Sequence, residues 1–341
     1  MFTHTTEFTM RFPKLLIIAT ALFAICASSC KKDEDESLPY LNGTPDFDLP
    51  LYGQAGDKFT FKAKGSTDDD GNNASYYWYA LPIIDKRDTT DIFTLTLPDT
   101  LCTVTVTCGS FKKGYYGYTT EKSITIVNPS RTNGSIKGVL FNVEKDFVFT
   151  DERDGHEYWC TTIGDKDWFK DNLAFSKAGY YIADCPVTAG VFGKVYNWEE
   201  ARNSCPEGWR LSTLQDWADA AGTSVDGTPF DPGKHMYSVA VDFMGNITFN
   251  GERMWEYWPG VRITDSKGLS MMPVGYATIN TDGKASFASM NDYSVFWTAD
   301  EKDQDKAYYR YIYSERPDVL LGSADKKSFA ASVRCVRDHK E

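Results

Sequence analysis

Eight cysteines and four histidines are the side chains best able to hold a metal or attack a substrate. Zinc needs such ligands clustered. His156 and Cys160 lie close together, but a lone pair of that kind in a strand-rich stretch reads as structural. His235 and His339 stand in no cluster of such ligands, so neither a metal nor a cofactor is expected. Among 48 acidic residues no spacing singles out a catalytic pair, and the solvated-surface reading is preferred. The chain has no Gly-x-Ser-x-Gly elbow and no phosphate loop. The turn Ser66–Asn73, "STDDDGNN", lacks the alternating Asp and distal Glu of a calcium loop and reads as a plain turn.

The cysteines divide by context. Cys102 and Cys108 sit on one face of "CTVTVTC"; about six residues of extended strand hold them roughly 20 Å apart. That exceeds the reach of a disulfide, so they read as buried thiols. Cys205 opens "CPEGWRLSTLQDW", which resembles a reactive site until its elements are considered. Thr213 and Asp216 form a helix-capping pair, with Asp in place of the usual Glu. Leu214, Trp217, Ala218 and Ala221 then make one apolar stripe, and Gly222 is the stop. A second helix is expected from Asn197, with Glu200 reaching back and Trp198 and Ala201 buried.

Charge and composition set the wider frame. A formal charge of −12 with no long basic run excludes nucleic acid as a partner. Aromatic residues at 15% suit β structure and aromatic surfaces. At the N-terminus, Arg11 and Lys14 precede the uncharged run Leu15–Ile25, too short to span a bilayer and of signal-peptide length. "ASSC" follows and resembles a bacterial lipobox, with Ala27 where Leu is usual. The resemblance implies a signal peptide over 1–29 and lipidation of Cys30. The acidic stretch after it, within a tether over 30–40, is similar to the surface-export signal of Bacteroidota lipoproteins. The expected location is therefore the cell outer membrane, lipid-anchored and facing outward, with membrane lipid as the partner of the acyl chains.

Residues 41–128 read as short alternating strands: Phe59, Phe61 and Ala63, then Trp78, then Val104 and Val106, then Ile124 and Ile126. Strands at this spacing predict an all-β, immunoglobulin-like sandwich. The Asp-Gly turn before the Tyr-Trp strand resembles a PKD-type domain. Residues 129–137 read as a linker, and 138–341 as a second domain.

That second domain carries five motifs in order: Asp-Gly-x-x-Tyr at 154–158, Ile-Gly…Trp…Asn-Leu at 163–173, Tyr-Asn-Trp-x-x-Ala at 196–201, Cys-Pro-x-Gly-Trp-x-Leu at 205–211 and Ser-Val-Arg-Cys-Val at 332–336. Together they resemble the Fibrobacter succinogenes major paralogous domain over about 148–338. Ser212 departs from the Pro usual there. The resemblance implies an α+β fold related to C-type lectins and to the formylglycine-generating enzyme. It also implies a Cys205–Cys335 bridge, which would close a loop worth roughly 4–5 kcal/mol at most. Cys160 and Cys185 are then candidates for a second bridge, although four cysteines allow three connectivities.

The enzyme of that fold needs two reactive cysteines near the C-terminus, and only Cys335 lies there. Its catalytic residues therefore do not transfer, and no catalytic residue is assigned. The calcium-binding tripeptides of sugar-binding C-type lectins are likewise missing. Sugar binding on aromatic platforms is left, and the irregular stretch 226–290 is where such a fold carries its long loops. Within it Trp255, Tyr257 and Arg262 are the candidate ligand-binding residues. Trp255 and Tyr257 are open between core and surface, whereas Trp258 and Trp297 are assigned to the core. The alternating Tyr309, Tyr311 and Tyr313 offer a second candidate face. The expectation is a non-enzymatic recognition protein that binds glycan or adheres to a host or neighbouring surface. The alternatives are an accessory, tip-like subunit of a surface assembly and, last, an oxidase.

Overall fold

The computed structural model describes residues 37–128, 136–137 and 141–340. Cys30 and the signal peptide lie outside the described residues, as does all of the linker 129–137 except Ile136 and Lys137. Pro39–Glu341 is one compact unit and is mostly β.

Its first part has two sheets. In the five-stranded sheet the order is Tyr52–Gly53, Thr119–Ile126, Thr103–Phe111, Ser75–Leu81, Ile84–Asp88; the first pair is parallel and the rest antiparallel. Lys58–Lys62 pairs with Ile92–Thr96 in the other. Alternation sends Val104, Val106 and Cys108 inward. Outward, Thr103 and Thr105 meet Thr125 and Ser123 across the strands at 3.1 and 3.0 Å. Trp78 stacks on Phe93 at 5.5 Å between the sheets, joining both inner faces in one core. The 66–73 turn closes on itself: Asp68 accepts from Asn72 N at 2.8 Å and from Lys112 Nζ at 2.5 Å. The Lys112 ammonium holds the Asp68 carboxyl at about 2.

The second part is built on an antiparallel sheet in the order Arg210–Leu211, Cys335–Asp338, Lys166–Phe169, His156–Ile163, Asp146–Asp151. A three-stranded sheet, Tyr293–Glu301, Lys306–Tyr313 and Leu320–Asp325, packs beside it. Ile136–Lys137, in the stretch read as linker, pairs with Thr248–Phe249.

Helix Leu214–Ala221 is capped as its residues dictate. Thr213 Oγ1 accepts from Asp216 N at 3.1 Å, and Asp216 accepts from Thr213 N at 2.7 Å. Gly222, at φ 84°, ends it. Ser212 has a local use: its hydroxyl accepts the Trp217 indole N–H at 3.0 Å. Helix Trp198–Ser204 is capped by Asn197, which accepts from Glu200 N at 2.9 Å. Glu200 does not reach back as expected; its Oε2 is buried with no hydrogen-bond partner.

Cys205 and Cys335 are bonded, their Cα atoms 5.8 Å apart across 130 residues. The second bridge does not form, because Cys160 and Cys185 are both free thiols. Cys160 points into the core around Tyr158 and Phe169, whereas Cys185 lies beside Tyr52 and Phe59 on the wall of another cleft. The two parts of the unit meet at an aromatic joint, with Tyr52 against Phe192 at 5.9 Å and Phe249 at 6.4 Å. Beside it Asn250 Nδ2 donates to the Ile126 carbonyl at 2.7 Å.

Candidate functional site

The segment 246–270 carries the candidate residues, and one tryptophan fixes its course. Trp255 is 1% exposed, and its indole N–H donates to the Met271 carbonyl at 3.0 Å. It is a core residue, which corrects its reading as a ligand contact. A buried Met254 beside it helps pull the chain inward. The chain then turns out again: Tyr257 is 67% and Trp258 45% exposed. Trp258 is thus not the core residue expected, because a Trp-Pro-Gly turn follows it, closed by Val261 N donating to its carbonyl at 3.0 Å. Trp297, by contrast, is fully buried, its indole donating to the Tyr196 carbonyl at 2.8 Å.

Tyr257 and Arg262 come together. With Arg253, Pro259 and Asn246 they line a cleft of about 310 Å3. The Arg253 guanidinium lies over the Tyr257 ring, 5.5 Å from its centre. Asn246 also forms part of a second cleft, of about 530 Å3. Its walls include Phe141, Lys145, the Asp146–Lys170 pair, Asp265 and Lys267. Ser266 and Lys267 in turn border a third cleft of about 530 Å3, beneath Val225 and Tyr237. The three clefts therefore share walls along one loop.

Sequence reasoning missed the second cleft. Lys170 and Asp146 meet at 2.8 Å with side chains only 3% and 1% exposed. Nothing local in sequence announces a pair 24 residues apart. Asp265 is held at φ 50°, and Ser270 at φ 45°, both in the left-handed region that costs a non-glycine residue energy. The Asp265 carboxylate accepts from Ser270 N at 2.9 Å and from Ser270 Oγ at 2.6 Å. Burial pushes Asp265 up to about 6 despite those bonds and the nearby charges of Lys170 and Arg334.

The tyrosine face differs from a flat platform. Tyr293 lies 5.2 Å from Tyr313 with planes 11° apart, and 6.2 Å from Tyr311 with planes 19° apart. Near-parallel rings that close are offset-stacked, so their faces are spent on one another. Edges and hydroxyls are left for anything approaching that strip.

The remaining chemistry-bearing residues are engaged in structure. His235 Nδ1 accepts from Leu321 N at 2.9 Å, and His339 Nδ1 meets Asp167 at 2.7 Å. His156 packs on the Tyr158 ring at 4.5 Å, and burial raises the Cys160 thiol far above its usual range. Among the described residues no group of three or more His, Cys, Asp or Glu is placed to hold a metal.

Comparison with known proteins follows the second part of the chain. Residues 161–337 match the family model of the Fibrobacter succinogenes major domain. No curated protein matches. One solved structure, a nucleoside hydrolase-related hypothetical protein from Saccharophagus degradans described as associated with carbohydrate metabolism, aligns at 14% identity with a TM-score of 0.20. That alignment covers 28% of this chain and 27% of the other, and it carries no argument about fold or function. The family match spans more than half of the chain and includes both bridged cysteines, and on that ground the protein belongs to the Fibrobacter succinogenes major domain family.

Proposed function

We propose that the protein is a non-enzymatic recognition protein that binds glycan through the clefts around loop 246–268. In this reading an immunoglobulin-like, PKD-like first part carries a lectin-like second part. The chain is a lipoprotein held by Cys30 at the outer membrane of a Bacteroidota-type cell, facing outward. The carrying observation is the pair of outward aromatics, Tyr257 and Trp258, on a segment pinned by buried Trp255 beside an arginine-lined cleft. Aromatic faces stack on sugar rings while arginine and amide groups bond hydroxyls, and a rigid support lowers the ordering cost of binding. Phe141, 37% exposed on the second cleft, offers another ring. An oxidase is disfavoured because Cys335 is committed to Cys205. Affinity electrophoresis of the full chain in detergent across a polysaccharide panel tests the reading. Retardation by some member, lost in Tyr257→Ala, is expected; no retardation by any member rules glycan binding out.

A further inference from the structure

We infer that the two clefts sharing Asn246 select acidic polysaccharides, chains whose sugars carry carboxylate or sulfate groups. This rests on the glycan reading above and adds a charge requirement to it.

The chain as a whole carries 48 acidic and 36 basic side chains. The clefts reverse that balance. Lys145, Arg253 and Arg262 are exposed and Lys267 is half-buried, and all four line the cleft walls. Among the described residues none of the four forms an ion pair. The two carboxylates on the same walls are already engaged: Asp146 by Lys170 at 2.8 Å, and Asp265 by the Ser270 amide and hydroxyl. Glu252 and Glu256 flank Arg253 in sequence but line neither cleft. Asp242 borders the third cleft, where it accepts from Thr264 Oγ1 at 2.6 Å.

Concave walls whose unpaired charged side chains are of one sign focus the field, so these clefts attract anions although the body repels them. The rest of the lining fits sugar better than a bare ion. Asn142, Asn246 and Thr264 offer amides and a hydroxyl, with Phe141 and Tyr257 as further rings. Shared walls suit a polymer that occupies both clefts at once. Neutral sugar would leave the four cations unanswered.

The test is affinity electrophoresis of the full chain in detergent with polygalacturonate, dextran sulfate, neutral dextran and single-stranded DNA. Polygalacturonate and dextran sulfate are the carboxylate and sulfate arms. At least one should bind tenfold or more tightly than dextran, and its binding should weaken as salt rises. Lys145→Glu with Arg262→Glu should reduce that binding at least tenfold. Lys62→Glu with Lys113→Glu makes the same change in net charge on exposed residues of the first part and should leave binding within twofold. Equal affinity for dextran and the acidic chains overturns the charge requirement and leaves glycan binding standing. Binding to DNA as tight as to the acidic chains overturns it in favour of an unspecific polyanion site. Equal loss in both double variants overturns the placement at these clefts. If nothing binds, both readings fail.

Discussion

Trp255 and Tyr257 are two residues apart and face opposite ways: one lies beneath the Met271 carbonyl at 1% exposure, the other stands in solvent at 67%. Replacing them should therefore fail in opposite ways. Trp255→Ala removes a buried indole and leaves a cavity, costing about 3–5 kcal/mol in chemical denaturation. Tyr257→Ala should change stability by no more than about 0.5 kcal/mol and lower glycan affinity. A Trp255→Ala protein of unchanged stability would refute its place in the core.

Asp265 gives the fold a pH signature. Burial raises its carboxyl to about 6, so the folded chain holds that proton more tightly than the unfolded chain does. Its contribution favours folding below the unfolded carboxyl value of about 4 and is lost as pH rises through about 6. Asp265→Asn should have little effect on Tm at pH 4 and should raise stability at pH 8, by up to about 3 kcal/mol. Asn also tolerates the left-handed backbone there. Equal shifts at both pH values would show that the carboxyl does not titrate in this window.

The Asp146–Lys170 pair predicts a non-additive cycle. Lys170→Met strands a buried carboxylate and should cost about 3–5 kcal/mol. Adding Asp146→Leu should recover much of that loss, because the desolvated charge goes too. Urea melts of the two single variants and the double variant give the coupling directly; simple additivity would argue against a buried pair.

Bridging Cys205 to Cys335 constrains the unfolded chain over 130 residues. Reduction should lower stability by up to about 4–5 kcal/mol, the chain-entropy figure for a loop of that size. Cys160→Ala should leave the difference between oxidised and reduced forms unchanged, since Cys160 is a free thiol. Comparing Tm with and without dithiothreitol measures both.

What the sequence disclosed follows from how local each signal is. The Thr213–Asp216 cap and the Leu214 stripe were legible because every participant lies within one or two helical turns. The alternation of Val104 and Val106 was legible for the same reason in a strand. Trp258 departs from its expected core place, and Trp255 is left open by the sequence, because "WEYWPG" has no regular period. Burial there is decided by Met271, sixteen residues away, and by the Pro-Gly turn. Asp265 and the Asp146–Lys170 pair are built from separate strands and loops, and no spacing foretells such a meeting. Glu200 shows the opposite limit: a locally plausible back-bond gave way to the Asn197 cap alone.

The Cys205–Cys335 bond also makes a covalent ring of the chain between those residues, and all of segment 246–268 lies on that ring. A protease that cuts the exposed turn beside Tyr257 opens the ring without releasing either piece. The nicked molecule stays in one covalent piece until a reductant is added, and a fragment of the ring itself is freed only by a second cut within it. The exposed turn beside Tyr257 is thus also a place where the molecule survives breakage in one piece.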